Sequence, residues 1–178
     1  MASRTDGSRV VRVLSLQTRV DNLLLLPPLG LMLWQDTDTQ TGLQTVNKAR
    51  MDGTDREILF STTSGLEISN LTSNFDMKDP RVYWISSKDQ QQSIVELRIT
   101  GNIRRNILTN LTAVTALCSH RDKIYYARSE GNNNPIYILD LNTTQATSGR
   151  LYRNNSKTIL SLLIYDPELQ MVSFTTIS

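Results

Sequence analysis

One cysteine and one histidine in 178 residues remove several kinds of chemistry at the outset. Cys118 has no second cysteine to pair with, so no disulfide closes within the chain, and no Cys/His spacing suits a zinc site. A single thiol fits a cytosolic protein and equally a secreted domain whose core needs no staples. His120 sits in Ser119-His120-Arg121-Asp122 with no nucleophile motif upstream. A Ser-His-Asp or Cys-His device would need Cys118 or a serine to meet it in space, and nothing orients that pair. The two read as a buried thiol beside a surface histidine. One histidine is also a weak basis for ligand release in acid.

Long apolar runs are missing as well. Met1 to Val10 has no apolar core of the kind a signal peptide carries, and the richest stretch, Leu23 to Trp34, is interrupted by Pro27, Pro28 and Gly30. It reads as a strand, a turn and a second strand, neither leader nor membrane span. Charge of one sign is scarce too. The net charge is +2 and the 19 basic residues are scattered, which gives no stripe for nucleic acid or anionic lipid. Helical periodicity is hard to find in any window longer than about ten residues.

What remains is ordinary globular material, 39% hydrophobic and 20% charged, enough for one domain or one piece of a larger one. Short apolar or alternating runs dominate: Val10 to Leu14, Leu23 to Leu26, Leu31 to Trp34, Gln44 to Ala49, Glu57 to Phe60, Val82 to Ile85, Ser93 to Ile99, Asn106 to Leu108, Ala113 to Cys118, Lys123 to Ala127, Pro135 to Leu141 and Ile159 to Tyr165. Their lengths and β-branched or aromatic content suit strands, and Gly, Asn, Asp, Ser and Thr fill the gaps. The fold class expected is all-β.

Two landmarks recur in the same order. Leu33-Trp34, Tyr83-Trp84 and Tyr125-Tyr126 align as β-aromatic pairs. The turns Asp6-Gly7-Ser8-Arg9, Asp52-Gly53-Thr54-Asp55-Arg56 and Thr100-Gly101-Asn102-Ile103-Arg104 align as well, with Asn142-Thr143-Thr144 a weaker fourth. A period of about 40–50 residues holding four strands is that of β-propeller blades. A lone four-stranded blade cannot bury both faces, so neighbours must cover it. Trp34, Trp84 and Tyr126 would fill the layer between blades, and the Asp-Gly turns would join strands three and four. The expectation is a partial propeller, about three four-stranded blades plus end fragments. Its divisions are 1–22 (end of a blade), 23–64, 65–112 and 113–158 (blades) and 159–178 (start or closing strand of the next).

These residues resemble low-density lipoprotein receptor class B repeats, the YWTD repeats of lipoprotein receptors, their relatives and nidogen. The best unit runs from Leu23 through Leu33-Trp34-Gln35-Asp36 to Val46-Asn47-Lys48-Ala49-Arg50-Met51-Asp52-Gly53-Thr54-Asp55-Arg56. The second keeps Gly65-Leu66-Glu67-Ile68, Tyr83-Trp84 and Leu97 to Leu108, and the third keeps Lys123 to Tyr126 and Ile136 to Leu141. Ser161 to Gln170 resembles the strand by which such a propeller ends. The motif aspartate survives as Asp36, whereas Ser86 and Arg128 stand in the equivalent places, so its inter-blade hydrogen bonding is not implied for those two units. The family's propellers have six blades and are normally followed by a cysteine-rich epidermal-growth-factor module.

The resemblance implies a non-enzymatic, ligand-binding or structural segment of an endocytic receptor ectodomain, extracellular or lumenal. It would have no cofactor and no metal, would not enter the membrane, and would have a protein or lipoprotein ligand or neighbouring modules such as epidermal-growth-factor domains as partners. Adhesion, matrix or receptor-tyrosine-kinase propellers are the alternative, and a propeller-based lyase or esterase is a third class that would need a metal-ligand or carboxylate-and-histidine cluster on the channel. Arg81, Lys88, Arg121 and Tyr152 are the side chains on which loop binding would draw. Asp36 and Asp38, spaced by two, invite a cation reading, but the glycine and distal glutamate of a calcium loop do not follow, which favours hydrogen bonding. Four glycosylation sequons begin at Asn70, Asn110, Asn142 and Asn154 and are compatible with secretion.

Overall fold

The computed structural model describes residues 2–3, 10–11, 13–14, 18–74, 76–131, 134–142, 150–153, 159 and 161–162. A short hairpin joins β1 (Ala2–Ser3) and β2 (Val10–Val11), and three four-stranded antiparallel sheets follow. The first contains β3 (Arg19–Leu26), β4 (Leu31–Thr37), β5 (Gln44–Arg50) and β6 (Glu57–Ser61). The second contains β7 (Glu67–Ser73), β8 (Arg81–Lys88), β9 (Gln91–Arg98) and β10 (Ile103–Leu111). The third contains β11 (Val114–His120), β12 (Lys123–Arg128), β13 (Ile136–Asp140) and β14 (Arg150–Arg153). Each is a meander in sequence order, and the only helical turn among the described residues is the 3-10 turn Pro27–Leu29, closed by Gly30.

The sheets stack face to face as the blades of a propeller arc. One apolar layer holds Leu33, Val46 and Phe60 of the first blade against Leu71, Val82, Trp84, Val95 and Leu97 of the second. The next holds Tyr83, Ile85 and Ile94 of the second blade against Leu117, Ile124, Tyr126 and Leu139 of the third. Strand alternation explains why one sheet serves two layers: neighbouring residues point to opposite faces, so Tyr83 and Trp84 leave the same strand in opposite directions. The first strands β3, β7 and β11 lie nearest one another, which makes them the inner strands. The fold class expected from the sequence is the one observed.

Several strands escape a hydropathy reading. β3 begins at Arg19 rather than Leu23 because its first half, Arg19 to Asp21, is polar or exposed and gives no apolar signal. β7 is absent from the apolar runs. Its alternation breaks at an irregularity between Ser69 and Thr72, where Asn70 takes a positive φ of 55°. β14 is absent as well, being short and flanked by arginines. Val10 to Leu14 is only partly strand, since β2 stops at Val11. Most of Ile159 to Tyr165 and of Ser161 to Gln170 lies outside the described residues, as does Asp6-Gly7-Ser8-Arg9.

Candidate functional site

The aromatic landmarks occupy equivalent places. Trp34, Trp84 and Tyr126 are each the fourth residue of the second strand in their blades. All three turn toward the preceding segment: Trp34 toward Val13 and Leu14, Trp84 toward the first blade and Tyr126 toward the second. Leu33 and Tyr83, the residues just before the tryptophans, turn toward the following blade. Tyr125 is half-buried and pairs with Cys118 and Ile138. Phe60 of the first blade stacks on Trp84 with ring centroids 5.5 Å apart, and Arg104 covers Phe60 at 4.4 Å. Arg56, which holds the same place after its glycine turn, lies 5.5 Å over Trp34.

Asp36 is buried and accepts hydrogen bonds from Trp34 Nε1 at 3.3 Å, Thr18 Oγ1 at 2.9 Å and Thr45 Oγ1. Arg56 is 3.9 Å away. Thr18 precedes the first blade, so this carboxylate ties the blade to the segment before it. Asp38, by contrast, is only half-buried, and the N–H groups of Thr41 and Gln40 hold its carboxyl below the ordinary aspartate value as it caps the β4–β5 loop. The turn at Asp52 and Gly53 joins strands three and four, as does the one at Gly101. The Thr54 hydroxyl and N–H lower the Asp52 pKa. Gly53 takes φ +90°, and a Cβ there would stand 2.5 Å from the Val13 carbonyl oxygen, so no other residue fits without displacing the chain.

Two arrangements escape the sequence reading. The first is a backbone clasp between blades. Gln44 and Gln92 occupy equivalent registers, opposite Thr37 and Ser87, each three residues beyond its tryptophan. Gln44 Oε1 accepts from Ile68 N–H, while Gln35 Nε2 donates to the Ile68 carbonyl at 2.9 Å. Gln92 makes both bonds to Val114, accepting from N–H at 2.6 Å and donating to the carbonyl at 3.3 Å. Inner strands use such links too: Asn70 Nδ2 donates to the Thr115 carbonyl at 3.4 Å, and Thr115 Oγ1 donates to the Ile159 carbonyl at 2.7 Å.

The second is a buried ion cluster in the second blade. Glu96 is 1% exposed and accepts from Arg105 Nε at 2.7 Å and Arg81 Nη1 at 3.2 Å, with Arg98 at 3.9 Å. Arg81 also grips Asp79. Burial works against the Arg81 cation, but its bonds to Asp79 and the Glu96 charge outweigh that and raise its pKa. Burial, and then the Glu96 charge, raise the Tyr83 phenol above the ordinary tyrosine value. At the corresponding register the first blade has the charges reversed, Lys48 against Glu57 at 2.8 Å. The sequence signal is a charged residue, Lys48 or Glu96, in the third strands of the first two blades at a position where the pattern calls for an inward one; the third blade has Ile138 there.

Of the four surface side chains expected to bind, Arg81 and Arg121 share one end of the blades and Lys88 lies at the other, since Arg81 and Lys88 are the two ends of β8. Arg81 is committed to Asp79 and Glu96; Arg121 and Lys88 are exposed. The Tyr152 side chain lies outside the described residues, as does Asn154. Met77, at 62% exposed, and Ile103, at 58%, stand at the Arg81 end of the second blade. Cys118 is buried and bonds the Ser119 carbonyl, and His120 is half-buried two residues on. Among the described residues no three His, Cys, Asp or Glu side chains gather to hold a metal, and no helix is long and apolar enough to cross a membrane.

No family model and no curated protein matches the chain. Among solved structures it is similar to a chain of a nidogen/laminin complex, at 18% identity and a TM-score of 0.60 over 86% of this chain and 58% of that one. It is also similar to TolB from Acinetobacter baumannii, at 19% identity and a TM-score of 0.55 over 67% of this chain and 30% of that one. The chain thus spans less than two thirds of either neighbour. At these identities the likeness establishes the fold, and the chain is a β-propeller module of three complete four-stranded blades among its described residues.

Proposed function

We propose that this chain is a non-enzymatic propeller segment that binds proteins, or packs against neighbouring modules, in the ectodomain of a lipoprotein-receptor-like protein. The observation that carries the reading is how the reactive side chains are spent. Glu96 and Arg81 are engaged in bonds within the second blade, and Asp36 in bonds within the first and to Thr18 before it, while the exposed apolar residues Met77 and Ile103 stand at one end of the second blade. Met77 and Ile103 of the second blade and Arg121 of the third are exposed at the same end of their blades, the mix of apolar and arginine side chains that protein partners use.

A second reading, a matrix or adhesion propeller, is favoured by the nidogen/laminin neighbour. One binding experiment separates the two. With the full chain immobilised, low-density lipoprotein particles and laminin are titrated separately. Saturable binding of the lipoprotein, weakened by Met77→Asp or Ile103→Asp, supports the receptor reading; binding of laminin alone supports the matrix reading. Failure of both with folded protein, or turnover of ester or polysaccharide substrates, would remove the proposal.

A further inference from the structure

We propose that Asn110 and Asn142 are N-glycan acceptors and that Asn70, within the same type of sequon, is not; this rests on the extracellular or lumenal reading above. The sequence alone treats the sequons as equals, and Asn70-Leu71-Thr72 and Asn110-Leu111-Thr112 are the same tripeptide. Their settings differ. Asn110 lies near the end of β10, the outermost strand of its blade, and its side chain is exposed. There the pairing with β9 slips between Leu108 and Leu111, and Asn110 takes φ +58°. Asn142 follows β13 and is itself exposed, its N–H donating to Asp140 Oδ1 at 3.0 Å.

Asn70 belongs to β7, an inner strand, and is half-buried. Its Nδ2 donates to the Thr115 carbonyl of β11 across the seam between the second and third blades. Two residues on, Thr72 Oγ1 is 3.3 Å from Ser119 Oγ and accepts from Ser119 N–H, so both polar ends of this sequon are used in one seam.

Nδ2 is the atom that would carry the sugar. In the transfer it attacks the anomeric carbon of a lipid-pyrophosphate-linked oligosaccharide. The N–C bond forms as the C–O bond to pyrophosphate breaks, the lipid pyrophosphate leaves with the bonding pair, and Nδ2 gives up one proton. At Asn110 and Asn142 the sugar then leads into solvent. At Asn70 it would start 3.4 Å from the Thr115 carbonyl, in the space where β7 and β11 meet, and the seam could not close around it. Chains modified there would fail to fold and be lost before export.

The test is site mapping of the full chain exported from mammalian cells behind an added, cleavable signal peptide, by enzymatic deglycosylation in heavy-oxygen water and peptide mass spectrometry. Glycan at Asn110 and Asn142 and none at Asn70 is the expected pattern. Asn110→Gln and Asn142→Gln should each remove one mobility step on gels, and Asn70→Gln none. Glycan at Asn70 in the exported, folded fraction, or bare Asn110 or Asn142 in that fraction, overturns the proposal. Should a variant fail to fold, the map of the unaltered chain still decides. A natively expressed chain without glycan, beside an exported chain with the expected pattern, would sink the location reading and leave the sorting of sites intact.

Discussion

Trp34 donates its indole N–H to Asp36, two residues along the same strand, at 3.3 Å. Trp84 holds the same place in the next blade, but there the residue two along is Ser86, and the buried Trp84 Nε1 meets no acceptor among the described residues. The departure from the repeat motif therefore has a structural cost at one specific atom. Asp36→Ala removes the acceptor of three donors and should lower stability by about 1–3 kcal/mol for the buried ones left unpaired. Ser86→Ala should cost well under about 1 kcal/mol, because that serine does not serve the indole. Urea midpoints of the two variants check the contrast; equal losses would contradict it.

Glu96 offers a second contrast. Glu96→Ala leaves Arg81 and Arg105 facing a vacated, buried position, which should cost about 3 kcal/mol, the lower end for a broken buried pair because Arg105 reaches solvent. Glu57→Ala, at the charge-reversed pair of the first blade, should cost less than about 1 kcal/mol, since half of Glu57 is solvated. Denaturant unfolding of both variants against the unaltered chain decides between them.

Tyr83 sets an alkaline limit. Its pKa is raised in the folded state by burial and by Glu96, so the folded chain holds the phenolic proton more tightly than the unfolded one, whose tyrosines ionise near about 10. The stabilisation is fully present below that value and is lost as pH rises toward the higher folded value. Thermal midpoints should fall above about pH 10, and Tyr83→Phe should flatten that fall. Ultraviolet difference spectra of tyrosine ionisation, followed alongside unfolding, provide the check.

The clasps predict local protection. Gln92→Leu keeps the bulk of the side chain and removes both bonds to Val114, so the Val114 amide should exchange with deuterium many-fold faster while Ile68, held by Gln44 and Gln35, stays protected. Uniform exchange at both amides would show that the seams are held by apolar packing alone.

The blades are legible in the sequence through Trp34, Trp84, Tyr126 and the Gly53 and Gly101 turns, because a large side chain in a repeated layer and a left-handed turn leave residue-specific marks. β7 is hidden, because the irregularity at Asn70 breaks the alternation on which strand recognition depends. The clasps are hidden for a different reason: a glutamine that bonds backbone leaves its partners, Ile68 and Val114, free to be any residue type. The Glu96 cluster joins β8, β9 and β10 and is scattered along the chain until the meander brings it together. The engagement of Arg81 with Asp79 and Glu96 belongs to that same cluster and is hidden with it, since its acidic partners are placed only by the fold.

Three leucines test the central claim most directly. Leu23, Leu71 and Leu117 each sit in a first strand beside the landmark aromatic of their blade, yet Leu71 and Leu117 are 6% and 5% exposed beneath a neighbouring blade, and Leu23 is 58% exposed. If blade-on-blade covering holds the fold, Leu71→Ala and Leu117→Ala should each lower the unfolding free energy by about 2–5 kcal/mol, and Leu23→Ala by less than about 1 kcal/mol. Equal losses at all three positions would contradict it.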